Sequence, residues 1–293
     1  MDTPNYLQLV KKYYAMLLLV LLWGIPLHLQ AQSAEFAFDV RQAAGTKITH
    51  DNNGHVYVTG TYSTANGDFD PGTRTTNLTN NGANDVFVAK YTTAGALVWV
   101  FGIGDNTDNK VTDIAVDASG NVYITGSYSS SSLDFDSGVG TSTPGFTGGT
   151  DAYIAKYNSS GAFQWVNTIQ GSGDDLASAL TTDASGNVYV TGYFTGTNVD
   201  FDPGVGTANL SNTGDYDIFI AKYNTNGAYQ WAHGLGNAND EEGLDIALDG
   251  SNNIYVSGVF TGTIDFDPGA GTASITAADY STFVAKYNSS GVY

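Results

Sequence analysis

One ten-residue stretch recurs four times at a fixed interval, and it restricts the fold more tightly than any other feature. It reads DNNGHVYVTG from Asp51, DASGNVYITG from Asp117, DASGNVYVTG from Asp183 and DGSNNIYVSG from Asp249, each start 66 residues after the last. A period of this order marks a repeat architecture. Each unit is one supersecondary block that buries its apolar surface against its neighbours.

Four short strand-like runs fit inside each period. Ile48, Ile114, Leu180 and Ile246 mark the first. The recurring stretch is the second, with Val122 and Ile124 alternating with Tyr123 and Thr125 at the two-residue period of a strand. The third reads VFVAKY from Val86, AYIAKY from Ala152, IFIAKY from Ile218 and TFVAKY from Thr282, and the fourth is built on Trp99, Trp165 and Trp231. Between runs one and two lies Asp-x-x-Gly, with Gly54, Gly120 and Gly186 in the fourth place and Asn252 in the last repeat. Asn is the other residue that tolerates positive φ, so the exchange predicts a left-handed turn position. Runs three and four are joined by Asn-x-x-Gly (Asn158–Gly161, Asn224–Gly227, Asn288–Gly291), with Thr92 in place of Asn in the first repeat. Both connections are hairpin-sized.

Four antiparallel strands per repeat predict an all-β chain, a β-propeller of four-stranded blades at about 46–103, 111–169, 177–235 and 243–293. The wealth of Tyr (19), Phe (14) and Gly (36) agrees, because aromatic residues suit strands and glycines suit the turns between them. The period exceeds the ~40–45 residues of a WD40 blade, and the excess lies between strands two and three. At the N-terminal end, Phe36 and Phe38 align with Phe163 and Trp165, which predicts a fourth-type strand over 36–41. That strand would complete the last blade and close a four-bladed ring. The other reading is a fragment of a larger propeller.

Residues 1–31 read as a signal peptide: Lys11 and Lys12, an apolar run from Tyr13 to Trp23, and a cut after Ala31. The run is shorter than the ~20 residues of a spanning helix. The expectation is therefore an exported protein, secreted or held at the cell surface, with no membrane span after signal removal and a repeat domain over 32–293. There is no cysteine, which excludes disulfides and thiolate zinc sites. A net charge of −19 argues against nucleic acid and anionic membranes as partners and leaves metal cations as the natural counter-charge.

The pattern D-x-S-G-N-V-Y-[VI]-T-G, then D-F-D-P-G-x-G-T, then [FY]-[VI]-A-K-Y-N-x-x-G resembles the bacterial SBBP β-propeller repeat family over about residues 36–293. The resemblance implies an exported or surface protein, often many-bladed, without an established catalytic activity. The Gly161-to-Trp165 spacing, shared by Gly95/Trp99 and Gly227/Trp231, is also similar to the tryptophan-docking motif of quinoprotein propellers. In that motif the tryptophans pack blade against blade.

The strongest chemical candidate is Asp-Phe-Asp-Pro-Gly, with carboxylates Asp68 and Asp70, Asp200 and Asp202, and Asp265 and Asp267; Asp134 and Asp136 stand in the variant DFDSG. Two readings are open. Carboxylates at i and i+2 in a Gly/Pro turn offer calcium the hard oxygen ligands it prefers. Equally, the aspartates cap backbone N–H groups while Phe packs beneath the loop. The closing Glu of an EF-hand is missing. In an antiparallel blade the 2→3 and 4→1 loops emerge on one face. The 4→1 loops add Asp105, Asp108, Asp174, Asp175, Asp240, Glu241 and Glu242, so this face is expected to be acidic. Lys90, Lys156, Lys222 and Lys286 recur once per blade and are read as structural partners of nearby blade carboxylates. His50, His55 and His233 lack metal-ligand spacing, and no nucleophile elbow, zinc-protease or phosphate-loop motif is present.

The sequence therefore predicts a non-enzymatic binding module whose acidic loop face meets a protein or glycan, with calcium as a candidate stabiliser. One rival is a polysaccharide lyase or hydrolase centred on the irregular Asp240-Glu241-Glu242 loop. Another is a plain structural spacer in a larger surface protein.

Overall fold

The computed structural model describes residues 43–64 and 67–293; the expected signal segment and the strand expected over 36–41 lie outside them. The described residues fall in the unit Phe38–Tyr293, and they contain strands and turns but no helix.

Seventeen strands follow in order. Blade one comprises β1 (Ala43–His50), β2 (Val56–Tyr62), β3 (Asp85–Tyr91) and β4 (Leu97–Ile103). Blade two comprises β5 (Lys110–Val116), β6 (Val122–Tyr128), β7 (Asp151–Tyr157) and β8 (Phe163–Ile169). Blade three has β9 (Leu176–Thr182) and β10 (Val188–Phe194), a two-residue pair β11 (Val199–Asp200) and β12 (Asn209–Leu210), then β13 (Asp217–Tyr223) and β14 (Tyr229–Leu235). Blade four holds β15 (Glu242–Leu248), β16 (Ile254–Asp265) and β17 (Ser274–Tyr287). Each of the first three blades is a four-stranded antiparallel meander, and blade four has three strands in the same order. The chain is all-β and built of blades.

The turns fold as their residues dictate. Asp51 Oδ1 accepts the N–H groups of Asn53 and His55, both at 2.9 Å, and Asp117, Asp183 and Asp249 repeat this one blade at a time. The fourth turn position is left-handed in every repeat, with φ of +78° at Gly54 and +60° at Asn252. The 2→3 connection, where the extra length lies, carries its own small hairpin. In blade three this is β11–β12, and in blade four it continues the long β16–β17 pair out to Asp265 and Ser274.

Among the described residues the three larger apolar cores lie between blades, and a smaller one (Tyr62, Phe69, Phe87, Ala89 and Tyr91) lies within blade one. Tyr57, Val86 and Val88 of blade one pack with Ile114, Ile124 and Tyr157 of blade two. Tyr123 and Ile154 meet Leu180, Val190 and Tyr223 at the next junction, and Tyr189 and Ile220 meet Ile246, Val256 and Tyr287 at the third. The tryptophans dock as their spacing suggested. A Cβ at Gly161 would stand 3.2 Å from Trp99, one at Gly227 3.0 Å from Trp165 and one at Gly291 3.2 Å from Trp231. Only a glycine allows this approach, and its φ near +80° would strain any other residue. The indole N–H groups of Trp99 and Trp165 donate across the junction to the carbonyls of Ser159 and Thr225.

Covering differs at the two ends of the stack. Ile48 is 70% exposed, whereas Ile114, Leu180 and Ile246 are at most 5% exposed. Val284 is 72% exposed, whereas Val88, Ile154 and Ile220 are at most 1% exposed. The described residues do not close a ring. Leu180→Ala should therefore destabilise the domain by about 2–5 kcal/mol. Ile48→Ala, the same kind of truncation one period and more away, should stay within about 0.5 kcal/mol. Urea titrations of the two variants check this, and equal losses would contradict the open first face.

Candidate functional site

The four DFDPG-type loops share one geometry. The first aspartate turns one oxygen onto two backbone N–H groups: Asp200 Oδ1 accepts from Asp202 at 3.0 Å and Ala208 at 2.8 Å, as Asp68, Asp134 and Asp265 do at their own positions. The second aspartate caps the glycine N–H two residues on, at 2.8 Å in all four loops (Asp70 to Gly72, Asp136 to Gly138, Asp202 to Gly204, Asp267 to Gly269). The intervening Phe is buried at Phe69, Phe135, Phe201 and Phe266, and its ring packs on Phe87, Tyr153, Phe219 or Phe283 with centroids 4.8–5.4 Å apart. Its carbonyl accepts the phenol of Tyr91, Tyr157, Tyr223 or Tyr287. Each loop is thereby pinned to the third strand of its own blade. Among the described residues no group of three or more His, Cys, Asp or Glu side chains is placed to hold a metal.

These loops border a groove at the blade junctions. Between blades two and three it has a volume of about 490 Å³ and is lined by Pro144, Thr147, Gln170, Asn198, Asp200 and Asp202. Between blades one and two it recurs at about 210 Å³, with Leu78, Asn81, Gly104, Asp134 and Asp136 at positions 66 residues earlier. The walls thus come from the 2→3 loop of one blade and the DFDPG loop of the next. Gln170 in place of Gly104 is the main departure from the repeat.

The 4→1 acids of this face divide into two kinds. Although burial alone would raise it, the Asp105 carboxyl is held well below its ordinary range by hydrogen bonds from Ser132 and Thr107. Asp175 and Glu241 are fully buried, and burial pushes both up to about 7. Glu241, in the loop read as the best catalytic candidate, has no exposed surface and is not positioned to touch a substrate. The sequence reading also missed Asp85, Asp151 and Asp217, buried carboxyls at the start of each third strand. Their 66-residue spacing was the available signal.

On the other face, the 1→2 turns of blades one to three surround a small cavity of about 160 Å³ lined by His50, Asp51, Asp117 and Asp183 among others. Asp117 and Asp183 spend both oxygens on the backbone, an Asn side chain and a Tyr phenol, which leaves little for a ligand. His55 bonds Asp51 at 2.9 Å, while His233 stacks on Trp231 and is lowered by burial. The lysines differ from expectation in their partners. Lys90 meets Asp51 at 3.8 Å, but Lys156 and Lys222 donate to the carbonyls of Thr225 and Ser289 in the next blade. Each of the four lies over a tyrosine ring. Lys156 and Lys222 thus join blades, whereas Lys90 stays with the carboxylate of its own blade.

No family model matches the chain. It is 30% identical over 246 residues to an uncharacterized WD repeat-containing protein of Acanthamoeba polyphaga mimivirus, covering 74% of this chain and 18% of that one. It is 28% identical over 180 residues to the regulatory protein FlaEY of Caulobacter vibrioides, covering 60% of this chain and 18% of the relative. The chain thus spans less than a fifth of either relative. A solved structure of a protein of unknown function from Bacteroides caccae aligns with a TM-score of 0.37 at 8% identity, over 81% of this chain and 62% of the other, a likeness too low to bear on the fold. Together with the blades, the WD-repeat relative makes this a repeat protein of β-propeller type.

Because Asp200 holds two N–H groups in a part-buried loop, Asp200→Ala should cost about 1–3 kcal/mol. Asp202→Ala exposes one N–H to water and should cost less than about 1 kcal/mol. Chemical denaturation of both variants orders the two costs.

Proposed function

We propose that this chain is an exported, non-enzymatic propeller-type interaction module of the SBBP repeat kind. Its working surface is the face formed by the 2→3 and 4→1 loops, and the junction grooves there receive an extracellular protein or glycan. The observation that carries this reading is the recurrence of one groove at successive junctions, with acceptor groups at equivalent positions on a rigid scaffold. The opposite face spends its carboxylates internally. A net charge of −19 favours cationic protein segments or polyhydroxylated ligands over nucleic acid.

The test is retention on an immobilised panel of extracellular glycans and on cell-surface extract. Asp136→Lys with Asp202→Lys should weaken retention at least about tenfold, or 1.4 kcal/mol, without loss of folding. Retention unchanged by the double variant moves the contact to another surface. A wild-type chain that retains nothing favours a structural spacer, and turnover of any glycan favours the lyase or hydrolase reading.

In this account the DFDPG aspartates act as turn caps. Calcium on their remaining oxygens is the second reading, because each second aspartate has one oxygen with no hydrogen bond to its loop. A thermal melt in millimolar calcium and then EDTA separates the two. Turn caps predict a shift under about 2 °C, whereas a site filled to 100 times its Kd raises Tm by roughly 5–10 °C. A rise of that size, lost on Asp200→Asn, would make these loops metal sites.

A further inference from the structure

Beneath the loop face, each of the first three blades joins the following 4→1 connection through a short parallel bridge: Asn84 to Asp108, Thr150 to Asp174 and Tyr216 to Asp240. The next residue donates its N–H back across the bridge, from Asn109 to Asn84 O at 3.0 Å, Asp175 to Thr150 O at 2.7 Å and Glu241 to Tyr216 O at 2.9 Å. In parallel pairing, side chains opposite one another share a side of the ladder. Asp85 therefore stands beside Asn109, Asp151 beside Asp175, and Asp217 beside Glu241. All six residues are at most 4% exposed.

The hydrogen bonds of these pairs are incomplete. Asp151 Oδ2 accepts the Thr147 N–H and Asp217 Oδ2 that of Thr213, but Asp151 Oδ1, Asp217 Oδ1 and Glu241 Oε1 are buried without a partner. Asp175 is better supplied, with Gly171 and Thr195 donating to its two oxygens. Two ionised carboxylates side by side without water or a cation are strongly unfavourable. None of the ion pairs among the described residues involves them. The neighbouring titratable groups offer no positive charge: Tyr128, Asp174 and Tyr193 at the first pair, Asp240 and Tyr280 at the second.

We infer that the pairs Asp151–Asp175 and Asp217–Glu241 each share one proton at neutral pH, so that the loop face is locked in mild acid and loosened by alkali. The chain supplies its own comparison at the first junction. There the place of Asp175 and Glu241 is taken by Asn109, an uncharged residue whose Nδ2 donates to Asp105 Oδ1 and Thr107 O, so that bridge buries the single carboxyl of Asp85 and no acid pair. A cation would be an alternative counter-charge. It is disfavoured because each pair offers only two carboxylates, and because the Asp175 and Asp217 carboxyls lie close against the backbone at Gly171 and Gly236.

Burial pushes Asp151, Asp175 and Glu241 up to about 7 and raises Asp217. An unfolded Asp or Glu releases its proton near its ordinary value, about 4. Between about pH 4 and pH 7 the folded state thus binds more protons, so stability is highest at the acid end and falls as pH rises. The N–H groups that cap the first pair belong to Thr147 and Gly171, and Thr147 and Gln170 line the larger groove. Ionising both carboxyls should loosen that wall. The proton pairs concern stability and stand whether or not the grooves bind a ligand.

Thermal melts of the whole chain from pH 5 to pH 8 test the inference. Wild-type Tm should fall by roughly 5 °C or more across the range. The double variant Asp175→Asn with Glu241→Gln should be flatter in pH and melt higher than wild type at pH 8. Asn109→Asp, which builds a third acid pair and also removes the amide's bonds to Asp105 and Thr107, should cost stability at pH 5 and markedly more at pH 8. An infrared titration of wild type, which needs no variant to fold, should show a protonated carboxyl band disappearing near pH 7. Equal pH slopes in wild type and the Asn109→Asp variant, or no such band, would overturn the inference. So would a calcium-induced rise in Tm at pH 8 that Asp175→Asn with Glu241→Gln abolishes, because a cation would then occupy the pair. Asp200→Asn leaves these pairs intact, so a calcium effect at the DFDPG loops reads out separately.

Discussion

Everything in this molecule depends on how one blade lies on the next. A single blade of short strands has two apolar faces and little core of its own, the cluster of Tyr62, Phe69, Phe87, Ala89 and Tyr91 in blade one being the smallest of the buried clusters among the described residues. Burial comes when Trp99, Trp165 or Trp231 closes over the glycine of the following blade, a contact that a single methyl group would block. Around each tryptophan the junction adds a tyrosine edge, at 6.0–6.4 Å between ring centroids. At the two later junctions a lysine, over that tyrosine, also donates to a backbone carbonyl across the gap. Such interfaces make stability a sum of neighbour terms along the stack. That is why Ile48 and Val284, equivalent to buried residues elsewhere, are exposed at its ends.

The same stacking creates the loop face. Neither wall of a junction groove belongs to one blade, so the grooves exist only as far as the blades are held in register. The chain then manages a large negative charge in three ways. DFDPG and 1→2 turn aspartates accept hydrogen bonds from backbone N–H groups of their own loops. Loop-tip acids such as Asp108, which accepts a hydrogen bond from Asn84, stay exposed to water. The pairs beside the third strands are buried away from water, and the backbone N–H groups that reach them still leave Asp151 Oδ1, Asp217 Oδ1 and Glu241 Oε1 without a partner, which is where the inferred proton sits. Only the first two groups are compatible with a solvent-facing contact surface.

Much of this was legible in the residues. The 66-residue period, the alternation in the second run, and the Asp-x-x-Gly and Asn-x-x-Gly turns are local signals, and the strands and left-handed positions lie where they point. Even the Phe of DFDPG, apolar between two acids, declared itself as a packing residue. What escaped notice depends on contacts between repeats. Lys156 and Lys222 were given nearby blade carboxylates as partners, but Asn121 and Asn187 already occupy Asp117 and Asp183, and the lysines reach forward to backbone carbonyls. Glu241 looked like an exposed acid in an irregular loop, because nothing local shows that the parallel bridge to Tyr216 carries it inward. The grooves, built from segments of two blades, have no single stretch of sequence to announce them.

The most direct test of a stack of blades held by repeated junctions, with Val284 of β17 exposed, is native-state hydrogen exchange resolved by residue. The account predicts the slowest amides in β6, β7, β10 and β13, whose faces are covered on both sides. Amides of β17 should exchange faster, because alternate residues along it, Val284 among them, face solvent. Protection of β17 equal to that of β7 and β13 would contradict the account, since its outer face would then be covered and the stack continued or closed in solution.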